Sequence, residues 1–325
     1  MVRMTRKPLP ALMFALLAGT GLGACSNPPP AATATAGTEA QTAAEAPAAP
    51  APAAAEADVF RFRIGALDAV ALKDGDIDLP NDGSVFGVGQ PVADISAVLA
   101  DAGLETGTLH LAIQPLLVHA GTRVLLFDTG AGNADFARAG HLQASLHDAG
   151  VEPGQVTDIF ISHAHPDHVG GLLAGDGALA FPNAAIHLSA PEWAALKQRP
   201  DAAALVGAIE PKVATFEPGA AVVPGVVTAV AVDGHTPGHS AYEITSGDAK
   251  LLYIGDAAHH SVISLRRPQW TVQFDGDAAL AKASRGALLQ RAAEGNLRIY
   301  AVHFPFPGLG RIQAEGDGFA WVPER

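Results

Sequence analysis

Within six consecutive residues, His163-Ala164-His165-Pro166-Asp167-His168, the chain offers four side chains able to hold a metal. The run directly follows the apolar, strand-like Asp158–Ile161. Two histidines at i and i+2 on extended backbone aim both imidazoles to one side, and a turn after them swings a carboxylate and a third imidazole toward a second centre. One short loop can then serve two adjacent cations. Cys25 is the single cysteine. Neither an internal disulfide nor a thiolate cluster can form, so histidine and carboxylate must supply the ligands.

At 325 residues and 49% hydrophobic composition, the chain can bury a sizeable core in one large domain or two ordinary ones. Short apolar runs bounded by Gly, Asp and Pro alternate with helix-like stretches, which predicts α/β layering. Phe60, Phe62 and Ile64 alternate with Arg61 and Arg63 in the two-residue period of a half-exposed strand. Val124–Phe127 and Ile159–Ile161 read as buried strands, and between them Ala134–Ala149 reads as a helix stopped at Gly150. Val226–Val232, Ala241–Thr245, Leu251–Ile254 and Leu297–Val302 read as further strands, and Asp277–Glu294 as a long helix stopped at Gly295. Asp128, His163, Asp256 and His303 all stand at or just past the C-terminal end of an apolar strand, where ligand sites collect in layered α/β folds.

Three more pieces follow in order: Gly234-His235-Thr236-Pro237-Gly238-His239-Ser240, then Gly255-Asp256, then His303. Taken with the HxHxDH run, they resemble the metallo-β-lactamase superfamily over nearly all of residues 60–322. The resemblance implies an α/β fold of the αβ/βα four-layer sandwich type, with helices outside two mixed sheets and the site at one edge. It also implies two divalent metal ions; zinc is the first expectation, and manganese, cobalt or iron also suit a set of N and O donors. By that pattern His163, His165 and His239 hold the first metal, Asp167, His168 and His303 the second, and Asp256 bridges them. Asp167 and Asp256 would be the catalytic residues. By the same resemblance the two cations, about 3.5–4 Å apart, would supply a bridging hydroxide as the nucleophile, and Asp167 would orient it and accept its proton. Asp128 and His235 are expected to support the ligands from behind. His259-His260 is expected either at the pocket mouth or on an exposed loop, and His110, His119, His141, His147 and His187 at surface or core positions.

The segment His303–Ile312, with Ala314-Glu315-Gly316 and Val322-Pro323, resembles the branch containing methyl parathion hydrolase and the N-acyl-homoserine lactonases. Pro166–Leu172 and Phe181-Pro182-Asn183-Ala184 agree with it. Ala257-Ala258-His259-His260 departs from the apolar run of methyl parathion hydrolase, which turns the expectation from a phosphotriester to a lactone or ester. A phosphotriester hydrolase and, from another class, an iron-dependent persulfide dioxygenase-like oxidoreductase stay as alternatives. The expected substrate is small, neutral and apolar, with walls from the loop Val85–Val92, the stretch Ala258–Trp270 and the turn Phe304–Leu309. These offer Phe86, Ile263, Leu265, Trp270, Phe304, Phe306 and Leu309, unless the same side chains pack beneath their loops. A substrate carboxylate would need Arg266, Arg267 or Arg311.

The formal net charge is −13, and residues 1–57 contribute nothing to it, because Arg3, Arg6 and Lys7 offset Glu39, Glu45 and Glu56. An acidic body repels phosphate backbones, so nucleic acid is not an expected partner. Residues 1–24 read as a targeting segment, basic at Arg3, Arg6 and Lys7 and then apolar from Leu9 to Leu17. Leu22-Gly23-Ala24-Cys25 resembles a bacterial lipobox, which implies cleavage before Cys25 and a membrane anchor of several acyl chains. The protein would be exported and face the periplasm, with the outer membrane favoured by Ser26, or the cell surface. Residues 25–57, Ala, Pro and Thr with little else, lack the large apolar groups that offset the entropy of ordering and read as a disordered tether. The catalytic domain is expected over 58–325.

Overall fold

The computed structural model describes residues 58–324. The signal segment and the tether expected over 1–57 lie outside the described residues. The first half of the domain contributes strands β1 (Val59–Ile64), β2 (Leu67–Leu72), β3 (Gly75–Pro80), β4 (Thr108–Ile113) and β5 (Leu116–Ala120). It continues with β6 (Arg123–Phe127), β7 (Asp158–Phe160), β8 (Ala185–Ser189) and β9 (Val213–Phe216). The second half contributes β10 (Ala221–Val223), β11 (Val227–Ala231), β12 (Ser240–Ser246) and β13 (Ala249–Tyr253), then β14 (Arg298–Tyr300), β15 (Leu309–Glu315) and β16 (Gly318–Pro323). Strands β1-β2-β5-β6-β7-β8-β9 form one seven-stranded sheet, and β10 to β16, in sequence order, form another. β3 and β4 pair only with each other, as an antiparallel ribbon.

Alternation along the strands fills two cores at once. Leu125, Phe127 and Phe160 of the first sheet face Tyr242, Ile244 and Tyr253 of the second, and the rings of Phe127 and Tyr253 lie 5.6 Å apart. The neighbouring positions Leu126 and Ile159 point outward, to Leu146 of helix Leu142–Ala149 and Trp193 of helix Ala190–Leu196. On the far side Leu252 and Ile299 pack with Leu288 and Leu289 of helix Ala278–Glu294, whose start is capped by the Asp277 carboxylate. Helix, sheet, sheet, helix is the expected αβ/βα sandwich.

Both sheets have parallel pairing at their centres, β6–β7–β8–β9 in one and β13–β14 in the other. Parallel neighbours need crossovers, which leave the C-terminal ends of β6, β7, β13 and β14 free to feed loops into one edge. The ribbon stands beside that edge. Ile77 pairs with Leu111 and Leu79 with Leu109 on one face, while Asp78 and His110 occupy the other. Its apolar face packs with Phe86, Ile95 and Leu99 in a smaller core separate from those of the sandwich.

The helix expected over Ala134–Ala149 begins only at Leu142. Buried Asp74 is the reason: its carboxylate accepts backbone N–H bonds from Ala131 at 2.8 Å, Gly140 at 3.2 Å and Leu142 at 2.9 Å. The chain is thereby wound around Asp74, and Gly140, at φ +97°, takes a left-handed conformation that a helix does not use. Gly150 closes the helix as expected. Among the described residues no helix is long and apolar enough to cross a membrane.

Candidate metal centre

The loop after β7 carries the dense run. Pro166 opens a single helical turn, Pro166–Val169, that carries Asp167 and His168. Asp256 follows β13 on a tight turn in which Gly255 has φ +50° and a Cβ would come within 2.6 Å of His239 Nε2. Only glycine fits there. His303 follows β14 and enters from the second sheet's edge.

These loops bring together two groups of donors, His163, His165, His235 and Asp256 in one, and Asp167, His168, Asp256 and His303 in the other. Asp256 belongs to both by presenting one oxygen to each. Its Oδ1 lies 3.1 Å from His303 Nε2 and 3.2 Å from His168 Nε2. Its Oδ2 lies 3.4 Å from His235 Nε2 and 3.5 Å from His163 Nε2. Asp167 Oδ2 completes the second group, 3.3 Å from His303 Nε2 and 3.6 Å from His168 Nε2. Six of the seven residues implied as ligands therefore stand in these groups. The seventh, His239, is adjacent but differently engaged: its Nδ1 donates to the Val232 carbonyl at 3.1 Å, and its Nε2 accepts from the Asp256 backbone N–H at 2.9 Å.

Buried polar atoms are normally paired, yet His168 Nε2 and Asp256 Oδ1 are buried with no hydrogen-bond partner. A lone pair on each, aimed at common space among N and O donors, is the arrangement a cation satisfies, so the residues fit the metal that the pattern implies. The charges agree. Although burial opposes it, the carboxylates of Asp256, Asp167 and Asp128 hold His168 well above the usual histidine range. Against burial again, Asp256 and Asp167 lift His303 to about 10. The second group is thus built for positive charge. In the first group burial dominates, pushing His163 well down and His165 to about 4, with neighbouring imidazoles adding to it.

The supports behind the ligands are specific. Asp128 ends β6 at φ +56°, and its carboxylate accepts from Ser162 N, Ser162 Oγ, His168 Nδ1 and Tyr253 OH, each at 2.7 Å. That is the expected supporting role, and it leaves His168 Nε2 as the free nitrogen. His303 Nδ1 donates to the Ala112 carbonyl of β4 at 2.7 Å, and Ala112 N–H donates back to the His303 carbonyl at 3.2 Å. Glu192, which sequence reasoning missed, is 3% exposed. It accepts from Ala164 N at 2.8 Å, Thr236 Oγ1 at 2.6 Å and Gly238 N at 3.0 Å, and so ties the dense run to the Gly234–Ser240 turn. Asp275 and Arg285 behind His235 were missed as well. A lone acid among 33 acidic residues carries no spacing signal.

A cavity of about 310 Å³ opens above the second group. His165, Pro166, Asp167, Asp256, His259 and His303 form its floor, and Ile77, Leu79, Leu111, Phe136 and Phe274 its walls. None of the seven expected wall residues lines it. Phe86 and Ile263 belong to the small core under the ribbon, Leu265 and Phe304 to the core beneath the long helix, and Leu309, with Phe306 against it, to the inter-sheet core. Trp270 faces a different cleft. Large apolar groups in loops found more area to bury beneath those loops than at the mouth. Arg266 pairs with Asp101 at 2.6 Å, Arg267 donates to the Arg266 carbonyl, and Arg311 donates to the Asn296 carbonyl. Among the described residues no lysine or arginine lines this cavity. His259 and His260 are both buried, which overturns the exposed-loop alternative. His259 lines the cavity 3.2 Å from Asp256 Oδ2, whereas His260 Nδ1 accepts from Val262 N and Ile263 N. His110, His119, His141, His147 and His187 stand outside both groups.

Comparison with known proteins gives a consistent picture. The metallo-beta-lactamase superfamily domain matches residues 112–303. No curated relative matches the sequence. Among solved structures, AidC, a dizinc quorum-quenching lactonase in complex with a product, N-hexanoyl-L-homoserine, is 34% identical with a TM-score of 0.76, over 82% of this chain and 97% of that one. The hydrolase AbOPH, described as in the beta lactamase superfamily, is 26% identical with a TM-score of 0.74, over 84% and 99%. A mutant of AiiA from B. thuringiensis, with N-decanoyl-L-homoserine bound at its active site, shares the fold at 22% identity and a TM-score of 0.55, over 76% and 100%.

Proposed function

Because this chain belongs to the metallo-beta-lactamase superfamily, we propose that it is a two-metal hydrolase that opens small neutral lactones or esters carrying apolar substituents. The observation that carries the reading is the split of Asp256, one oxygen to each donor group, beside an apolar cavity. The second metal would take Asp167, His168 and His303. The first would take His163, His165 and His235, whose Nε2 lies 3.0 Å from His165 Nδ1, in place of the expected His239, both of whose nitrogens are engaged with backbone groups. Two bound divalent cations would supply an activated water and an electrophilic anchor for the carbonyl oxygen.

The protein's own groups do the rest. Asp167 forms part of the cavity floor with its carboxyl held near 2: burial opposes that, but His168 and His303 win. It is therefore an anion at neutral pH, able to orient a water and receive its proton. Ile77, Leu79 and Leu111 offer an acyl chain a dry wall, worth about 0.8 kcal/mol per CH₂ buried. A carboxylate-bearing β-lactam would meet no cation on those walls. The lactone product named for AidC supports the same choice. A lipid anchor at Cys25, facing the periplasm, belongs to the proposal; fractionation of wild type against Cys25→Ser tests it.

The deciding experiment measures kcat/KM of one zinc-loaded preparation on short- and long-chain homoserine lactones, an aryl ester, methyl parathion and a cephalosporin. Lactone or ester should lead, with efficiency rising along the acyl series. Fastest turnover of the cephalosporin or of methyl parathion, or indifference to chain length, would reject this reading of the pocket.

A further inference from the structure

The second donor group is assembled from both sheets. Asp167 and His168 stand on the loop after β7 of the first, while Asp256 and His303 follow β13 and β14 of the second. Its geometry therefore depends on how the two sheets are registered at this edge. A buried side chain ties them there. Gln114, fully buried, sits between the end of β4 and the start of β5. Its Nε2 donates to the Ala301 carbonyl and to the Phe304 carbonyl, both at 2.8 Å. These carbonyls bracket Val302 and His303, so both amide hydrogens are spent on the stretch that carries the ligand.

The turn after His303 closes down onto that amide. A Cβ on Gly308 would lie 2.4 Å from both Gln114 Nε2 and the Ala301 oxygen. From the start of the same stretch, Tyr300 OH donates to the Gln114 carbonyl at 3.1 Å and to the Pro115 carbonyl at 3.3 Å. Gln114 Oε1, by contrast, is buried with no partner. Turning the amide over would set that oxygen against two carbonyl oxygens, so its neighbours fix its orientation. An unpaired buried acceptor costs stability, and an apolar side chain of the same length would not carry that cost. What the amide gains in return is its hold on the 301–304 turn.

Resting on the two-metal reading, we propose that Gln114 is the positioning residue for His303. By holding the carbonyls on either side, it sets where the histidine's backbone stands, and with it the approach of Nε2 to Asp167 and Asp256. The Ala112 carbonyl, bonded to Nδ1, decides only which nitrogen faces the site. The first donor group takes no residue from this turn, so the effect falls on one metal alone. Groups that orient a metal-bound histidine from behind are worth about 10–100-fold in affinity.

The test is a competition titration of metal-free full-length protein with Zn²⁺ against a chromogenic chelator, run on wild type, Gln114→Met, His303→Gln and the double variant. Wild type should bind two zinc ions tightly, and His303→Gln should keep one. Gln114→Met, which keeps the length and loses the donors, should bind one ion as wild type does and the other about 10–100-fold more weakly. In the double variant the remaining ion should bind as it does in His303→Gln, because Gln114 acts only through the residue already lost. With Co²⁺ in place of zinc, the visible absorption of the weakened ion alone should shift. Wild-type affinity for both ions in Gln114→Met, equal weakening of both, or a further loss in the double variant would overturn the proposal. Should Gln114→Met fail to fold, Gln114→Asn, which keeps the amide and withdraws it by one methylene, decides by the same comparisons. Fewer than two tight ions on wild type would overturn the two-metal reading together with this one, and that result is distinct from a variant that behaves like wild type.

Discussion

Behind the floor of the cavity three histidines of the donor groups are each held by a named partner, His168 by Asp128, His303 by the Ala112 carbonyl and His235 by Asp275. On the walls there is no such bracing. Ile77, Leu79 and Leu111 come from a ribbon outside both sheets, and Phe136 and Phe274 stand 50% and 40% exposed. The floor therefore behaves as a rigid unit whose parts fail together, whereas the walls act one side chain at a time. Chemistry and selectivity are laid on different pieces of chain.

Substitutions can break that division or sharpen it. The largest effect is expected at Asp256→Asn, where the shared charge between the two groups is lost. Zinc content should fall below two per chain and kcat/KM drop by well over about 100-fold, beyond what an outer partner costs. Full zinc and full rate would mean that Asp256 is no bridge. Next comes Asp128→Asn, which keeps the shape but unsettles His168; a loss of about 10–100-fold in zinc affinity is expected, with the acyl-chain profile unchanged. Phe136→Ala and Phe274→Ala should do the reverse. Each should leave zinc content alone and raise KM for a long-chain lactone about fivefold, on the order of 1 kcal/mol, with little change for the shortest. A zinc defect in either would dissolve the distinction between floor and wall.

The smallest effect is expected at the opposite end of β7 from the site. Burial would raise the Asp158 carboxyl, but His187, Thr157 and Arg123 hold it below the usual range. A carboxyl depressed in the folded state adds stability above its unfolded value of about 3.9, and loses it as the pH falls through the folded value. Asp158→Asn should thus lower Tm slightly at pH 7, by a margin that closes in acid, while kinetics stay unchanged. An equal Tm deficit at every pH would point to packing instead.

The same division explains what could be read from the sequence. The floor was legible because His163, His165, Asp167 and His168 are adjacent in the chain and the other pieces end apolar strands. The helix Asp277–Glu294 was legible from its run of good helix formers and its stop at Gly295, and the central strands from short apolar runs bounded by Gly, Asp and Pro. The walls were not. They come from Ile77, Leu79 and Leu111, more than fifty residues before the metal loop, and their alternation reads like any half-buried strand. Phe86, Phe304 and Phe306 looked like wall residues because they are large, apolar and in loops, and the cores beneath claimed them. His235 stood four residues from the expected ligand in the same turn, and only distance separates the two.

The paired bonds between Ala112 and His303 bear on how the substrate range of such a protein can drift. A mutation that shifts β4 to admit a bulkier substrate also tilts a histidine of the second group, so natural variation at Leu111 and Ile113 should be held in check by retention of metal. Phe136 and Phe274 carry no such debt. New specificities selected in the laboratory are expected to appear first at those two positions, and only later, with compensating changes, along the ribbon.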